Sequence, residues 1–203
     1  MNTEQNSPKY KYEIAIKARN FHYDNFSKWS TYFYVAIGAI FIGYCTVSTE
    51  GYKDNDKEFL KIGLLLLGYS CSILWHMSNK GYYFWALNFI KIINYYEKKI
   101  SGDDNNERVY SILAYKEQNI DVLFPNHAAN YSTSKISLVF SYIISFSWGI
   151  LFFYKILAIL PTSSICIAIG CCIFLNPLII AIISIIGKYC LESKVQQMSY
   201  IEN

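Results

Sequence analysis

Four long stretches without a charged side chain organise this sequence. They are Thr31–Val47, Ile62–Met77, Ile136 to about Tyr154, and Ser164–Gly187. Each approaches or reaches the roughly 17–25 residues that a helix needs to cross a hydrocarbon core about 30 Å thick. Their edges carry the expected anchors. Trp29, Tyr32 and Tyr34 crowd the start of the first stretch and Tyr44 its end, as interfacial aromatic residues do. Lys61 and Lys155 flank the second and third, placed to reach the headgroups through their apolar stems. In the fourth, the pair Asn176-Pro177 removes a backbone donor mid-span and predicts a kink. The pattern therefore predicts an all-α, polytopic membrane protein with four transmembrane helices plus cytosolic helical extensions.

The polar segments between the spans are themselves helical by pattern. Tyr10–Trp29 lacks proline and glycine and places Ile14, Ala18 and Phe21 on one face, so it is expected to run straight into the first span. After Gly81, residues Trp85, Phe89, Ile92, Ile93, Tyr96 and Ile100 form an apolar stripe on an amphipathic helix. Ser101–Glu107 reads as a loop, Arg108–Phe124 as a shorter helix ended by Pro125, and Ser132, Thr133 and Ser134 as N-cap candidates for the third span. The organisation predicted is a cytosolic N-terminal amphipathic helix over 1–30, the first two spans over 31–77 and a cytosolic helical segment over 78–135. The last two spans follow over 136–187, and a cytosolic tail over 188–203.

Charge sets the orientation. Of the 18 lysines and arginines, five precede the first span, seven lie between Ser78 and Lys135, and two follow Gly187. Only Lys53, Lys57, Lys61 and Lys155 fall on the other side. The positive-inside bias thus puts both termini in the cytosol of a multi-pass inner-membrane protein. A net charge of +3 over 203 residues is too small to argue for direct nucleic-acid binding. Charged residues make up 16%, against about 25% in soluble domains. No secretory signal peptide is expected, because the first thirty residues are polar and mixed in charge.

Candidate chemistry is sparse. No phosphate loop, zinc-protease helix or serine elbow is present. Cys166, Cys171 and Cys172 share one run without histidine or acid, so neither a metal nor a cofactor site is predicted. His22, His76 and His127 are scattered, and His76 reads as an interfacial histidine at a helix end. No catalytic residue is assigned. Lys17, Arg19, Asn20, His22 and Lys28 form a basic juxtamembrane cluster suited to a partner or to lipid headgroups. Ser141 and Ser145 form a small-residue stripe, and Asn176 is a mid-membrane amide in need of a partner. With Trp85 and Phe89 on the cytosolic stripe, these mark the predicted oligomer or helix seams. None of the four spans carries a mid-depth acid or an arginine ladder, which disfavours a transporter or channel subunit of the usual kind. A membrane-anchored enzyme acting on a phosphate-containing substrate is the other alternative, built on Arg19, His22 and His127.

Within Ile14–Tyr44, Arg19-Asn20-Phe21, Phe26, Lys28-Trp29 and Tyr32-Phe33 resemble small multi-span inner-membrane accessory proteins of bacterial antiviral loci. These include the membrane proteins encoded beside the type VI-B CRISPR ribonuclease, those of RADAR-type loci, and a RipA-like oligomeric membrane family. The resemblance implies a homo-oligomer in the lipid membrane, forming a pore or a scaffold beside a cytosolic defence effector, without enzyme activity. Some relatives carry a nuclease-like arginine-histidine motif, and the separation of Arg19 from His22 departs from that spacing.

Reporter fusions after Asn203 and within the Ser48–Glu58 connection are expected to report opposite faces of the membrane. The same face for both would exclude four spans.

Overall fold

The structure is a computed structural model that describes residues 7–49, 55–102, 108–110, 131–158 and 165–191. The described residues form four helices, α1 (Pro8–Thr49), α2 (Asn55–Ser101), α3 (Thr133–Leu157) and α4 (Ile165–Leu191), with no strand among them. Each helix is long and apolar enough to cross a membrane. Their ends follow local chemistry. Ser7 caps α1 by accepting the Tyr10 N–H at 3.2 Å, with Pro8 at the first helical position. Gly102, at φ 69°, takes the left-handed conformation that ends α2. Ser132 caps α3 through the Lys135 N–H at 3.4 Å.

Two elements differ from the sequence pattern. α2 is continuous through Gly81 and joins the second span to the amphipathic stripe, which the pattern treats as a separate helix. A lone glycine costs a helix about 1 kcal/mol relative to alanine, and Asn79 and Ala86 on either side of Gly81 are buried. α4 holds Pro177 inside its helical run. Arg108–Tyr110 are not helical, and the rest of the helix predicted over Arg108–Phe124 lies outside the described residues, as do His127 and most of the C-terminal tail.

The helices contribute to two compact units. The first holds the described parts of Lys28–Gly81 and Ile136–Lys194. Its core is Leu65, Tyr69, Ile73, Trp148 and Ile180, with Ile37, Tyr44, Met77, Phe152 and Ile183 packed against it. α2 is the central element: 39% of its spanning window is buried, against 6% for α1. Tyr34 of α1 meets Trp75 of α2 at 4.8 Å between ring centroids, and Gly43 faces Leu64, which makes the two antiparallel. Trp75 meets Phe140 of α3 at 5.9 Å, while Gly68 lies under Trp148, so α3 is antiparallel to α2 as well. Met77 packs on Gly187, and Tyr69 bonds to Asn176, so α4 runs parallel to α2. This is the up-down order that four successive crossings require.

The second unit holds the described parts of Met1–Ser27 and Tyr82–Lys135. Here the first turns of α1 pair antiparallel with the last part of α2. Phe26 stacks on Tyr82 at 3.6 Å between centroids, and Ala15, Ala86 and Ile93 are buried. Of the predicted cytosolic stripe, Ile93 is buried, Trp85, Phe89, Ile92 and Tyr96 are half-buried, and Ile100 is exposed.

In the spanning unit, Glu58 in the first turn of α2 bridges Lys155 in the last turn of α3 at 2.5 Å and Lys61 at 2.9 Å. Hydrogen bonding to Lys155, then to Lys61, holds its carboxyl at about 2, below the ordinary 4.5. A depressed carboxyl stabilises the fold above its ordinary value and loses that contribution as pH falls towards its folded value. The small melting difference between wild type and Glu58→Gln is therefore expected to be constant from neutral pH to about 5. It should vanish as the pH approaches about 2. A difference that persists at that pH would show that the bridge is not its source.

Candidate functional site

Buried positions on α2 recur every seven residues: Leu65, Ser72, Asn79, Ala86 and Ile93. Tyr69 and His76 extend the same face in the spanning unit, and Glu97 does so in the second unit. A repeat of seven is the period of a helix enclosed along its length by neighbouring helices. In the spans, however, most of this seam is polar.

Two contacts close the spanning seam. At the first, the Tyr69 hydroxyl donates to Asn176 Oδ1 at 2.7 Å, and Asn176 Nδ2 donates to the Phe146 carbonyl at 2.7 Å. One side-chain amide thereby joins α2, α3 and α4. Asn176 is fully buried, and Gly149 lies directly against it, where a Cβ would collide with the amide. At the second, His76 Nδ1 lies 3.0 Å from Ser141 Oγ, which itself donates to the Leu138 carbonyl at 2.9 Å. His76 and Ser141 thereby share a hydrogen bond whose direction follows the histidine tautomer. Ser72 and Ser145 turn their hydroxyls back onto the Tyr69 and Ser141 carbonyls at 2.8 and 2.9 Å. Such back-bonding leaves them small and self-satisfied, so the neighbouring helix can approach closely.

The predicted seam residues Ser141, Ser145 and Asn176 are thus brought together inside one chain. His76, read from the sequence as interfacial, is buried. Tyr69, Ser72 and Asn79 were not singled out. Their signal was the spacing of Tyr69 from His76 and of Ser72 from Asn79, which leucines on other faces of the span obscured.

The second unit holds the basic cluster apart from Lys28, which belongs to the spanning unit. A stripe of Tyr12, Ala15, Arg19, His22 and Phe26 recurs every three or four residues along α1. His22 stacks on Tyr82 at 4.9 Å and tilts against Phe89 at 5.4 Å, while Trp85 lies 6.4 Å from Phe89. The Arg19 guanidinium lies over the rings of Tyr110 at 5.0 Å and Tyr23 at 5.4 Å, and donates to Asn20 Oδ1 at 2.6 and 3.1 Å. Lys17 and Lys28 are exposed. Arg19 and His22 are therefore held by different sets of rings.

Beside them sits an acid that sequence reading passed over. Glu97 is buried, accepts the Tyr110 N–H at 2.6 Å and faces Arg108 at 3.7 Å. It anchors Arg108–Tyr110 against α2 and brings the Tyr110 ring to Arg19. Burial, then the charge of Glu97, pushes the Tyr12 phenol upward, and Arg19 opposes the shift. Nothing among the described residues groups three or more metal-ligating side chains.

Residues 9–157, which take in nearly all of α1 together with α2 and α3, match the model of the octameric membrane protein family (8xMP). The chain belongs to this family. It is accordingly an oligomeric membrane protein, and the α2 seam lies within the part that defines its membership. Asn176 on α4, outside the matched residues, completes the seam. No curated protein and no solved structure matches the chain.

Two substitutions separate hydrogen bonding from space in the seam. Tyr69→Phe removes one bond within the membrane and should cost about 0.6 kcal/mol. Gly149→Ala forces a methyl group onto the Asn176 amide and should cost roughly 1–3 kcal/mol. Graded detergent unfolding of the purified protein measures both. Equal midpoints for the two variants would contradict the close approach at Gly149.

Proposed function

We propose that this protein is a non-enzymatic homo-octamer of the bacterial inner membrane that supports antiviral defence. Both termini lie in the cytosol, where the assembly works with an RNA- or nucleotide-targeting effector, and its membrane part acts as a pore or a scaffold. The observation that carries the assembly reading is membership of an octameric family by a chain with four spanning helices. The defence role rests on the resemblance over Ile14–Tyr44 to accessory proteins of antiviral loci.

Among the described residues, the engagement of Arg19 and His22 supports the absence of enzymatic activity. Arg19 lies on aromatic rings and bonds to Asn20, and His22 is stacked between Tyr82 and Phe89. Neither is presented beside the other for in-line work on a phosphate. The lack of charge within the spans favours a passive pore or a scaffold over a transporter with a fixed ion site.

Cells carrying the chain together with the effector encoded beside it should resist phage better than cells with the effector alone. A membrane-potential dye read during infection separates a pore, which depolarises, from a scaffold, which does not. Equal plaque counts with and without the chain would overturn the defence role, and a native mass below eight copies would overturn the octamer. RNA cleavage by the purified protein that disappears in both Arg19→Ala and His22→Ala would replace this reading with an enzyme.

A further inference from the structure

Three buried polar atoms in the spanning unit lack a hydrogen-bond partner: Trp75 Nε1, Asn79 Oδ1 and Ser30 Oγ. Trp75 and Asn79 are each only 1% exposed. All three lie in one place by register. Trp75 and Asn79 are four apart on α2, so they sit one above the other on the same face. Tyr34 of α1 meets Trp75, and Gly43 faces Leu64, so the antiparallel pairing carries Ser30, one turn before Tyr34, level with Ser78 and Asn79. α3 closes the third side, because Asn79 Nδ2 donates to the Ser137 carbonyl at 3.3 Å and Phe140 lies against both Trp75 and Tyr34.

The chemistry of the three atoms is complementary. An indole N–H only donates, the amide oxygen only accepts, and a serine hydroxyl does either. Left unpaired away from water, each would cost a large part of its desolvation free energy. Side chains fixed four apart on one helix cannot turn to satisfy each other while Asn79 Nδ2 is held by Ser137. A water molecule has the required valence of two to four partners.

We propose that an internal water is bound at this α1–α2–α3 junction, accepting from Trp75 Nε1–H, donating to Asn79 Oδ1 and bonded to Ser30 Oγ. The site takes a small neutral molecule able to donate and accept at once. No charged side chain belongs to it, since the neighbouring Lys80 is exposed, so it does not bind an ion. The water is a polar link between α1 and the α2–α3 pair, beside the ring contacts that Tyr34 makes with Trp75 and Phe140.

The test uses the full chain in lipid bilayers with 15N-labelled tryptophan. The indole N–H resonance of Trp75 is assigned by its loss in Trp75→Phe, and magnetisation transfer from water to that resonance is then measured. Wild type is expected to show direct transfer from a bound water. Asn79→Leu, close in shape but without the acceptor, is expected to abolish it. Ser30→Ala, the milder change, is expected to weaken it while the assembled mass stays unchanged. No transfer in the wild type would overturn the proposal, as would transfer that survives in both variants. If Asn79→Leu fails to assemble, Ser30→Ala decides, with unchanged transfer counting against the site.

Discussion

The hydrocarbon core of a membrane offers a polar side chain no partner, so any such group carried into it must be bonded within the protein. The buried face of α2 carries Tyr69, Ser72, His76 and Asn79 into that region. Their requirement for partners makes α2 the axis of the spanning unit. α3 supplies a serine hydroxyl and backbone carbonyls, and α4 supplies one amide that faces two ways. The small residues follow from the same need. Gly68 gives room to the Trp148 ring and Gly149 to the Asn176 amide, since helices joined by short side-chain bonds must come close together.

The second unit meets a different demand with different residues. There the problem is to order two helix segments that are rich in aromatic side chains. Tyr82 serves both Phe26 and His22, and its phenol is raised mainly by burial. Arg19 is held by the faces of two tyrosines, one of which Glu97 fixes through its backbone. A basic cluster that resembles a binding patch in linear sequence is thus partly used in packing. The exposed Lys17 remains on its outer side.

The number of spans was legible because hydropathy over some twenty residues is a coarse signal that no local detail reverses. The entry of α1 directly into its span was equally readable, since nothing between Tyr10 and Trp29 breaks a helix. The continuity of α2 was not. Gly81 falls where charge and aromatic content change, and composition alone suggests two elements there, whereas the seven-residue repeat of buried positions runs through it. The seam was half legible. Ser141, Ser145 and Asn176 stood out because polar residues are conspicuous among isoleucines and phenylalanines. His76 reads as a helix end because the apolar run stops beside it, although its helix does not. Glu97 could not be found from the chain, because its burial depends on Arg108 and Tyr110, which come after the end of α2.

Asn176 also bears on the chemical ageing of the protein. An asparagine usually loses its amide when the nitrogen of the following peptide attacks the side-chain carbonyl and closes a five-membered imide. That nitrogen must first give up a hydrogen, and here it belongs to Pro177 and has none. The residue whose conversion to aspartate would replace a donor to Phe146 with a buried negative charge is therefore followed by the one residue that blocks this conversion. The proline that interrupts the backbone bonding of α4 protects the side chain that holds three helices together.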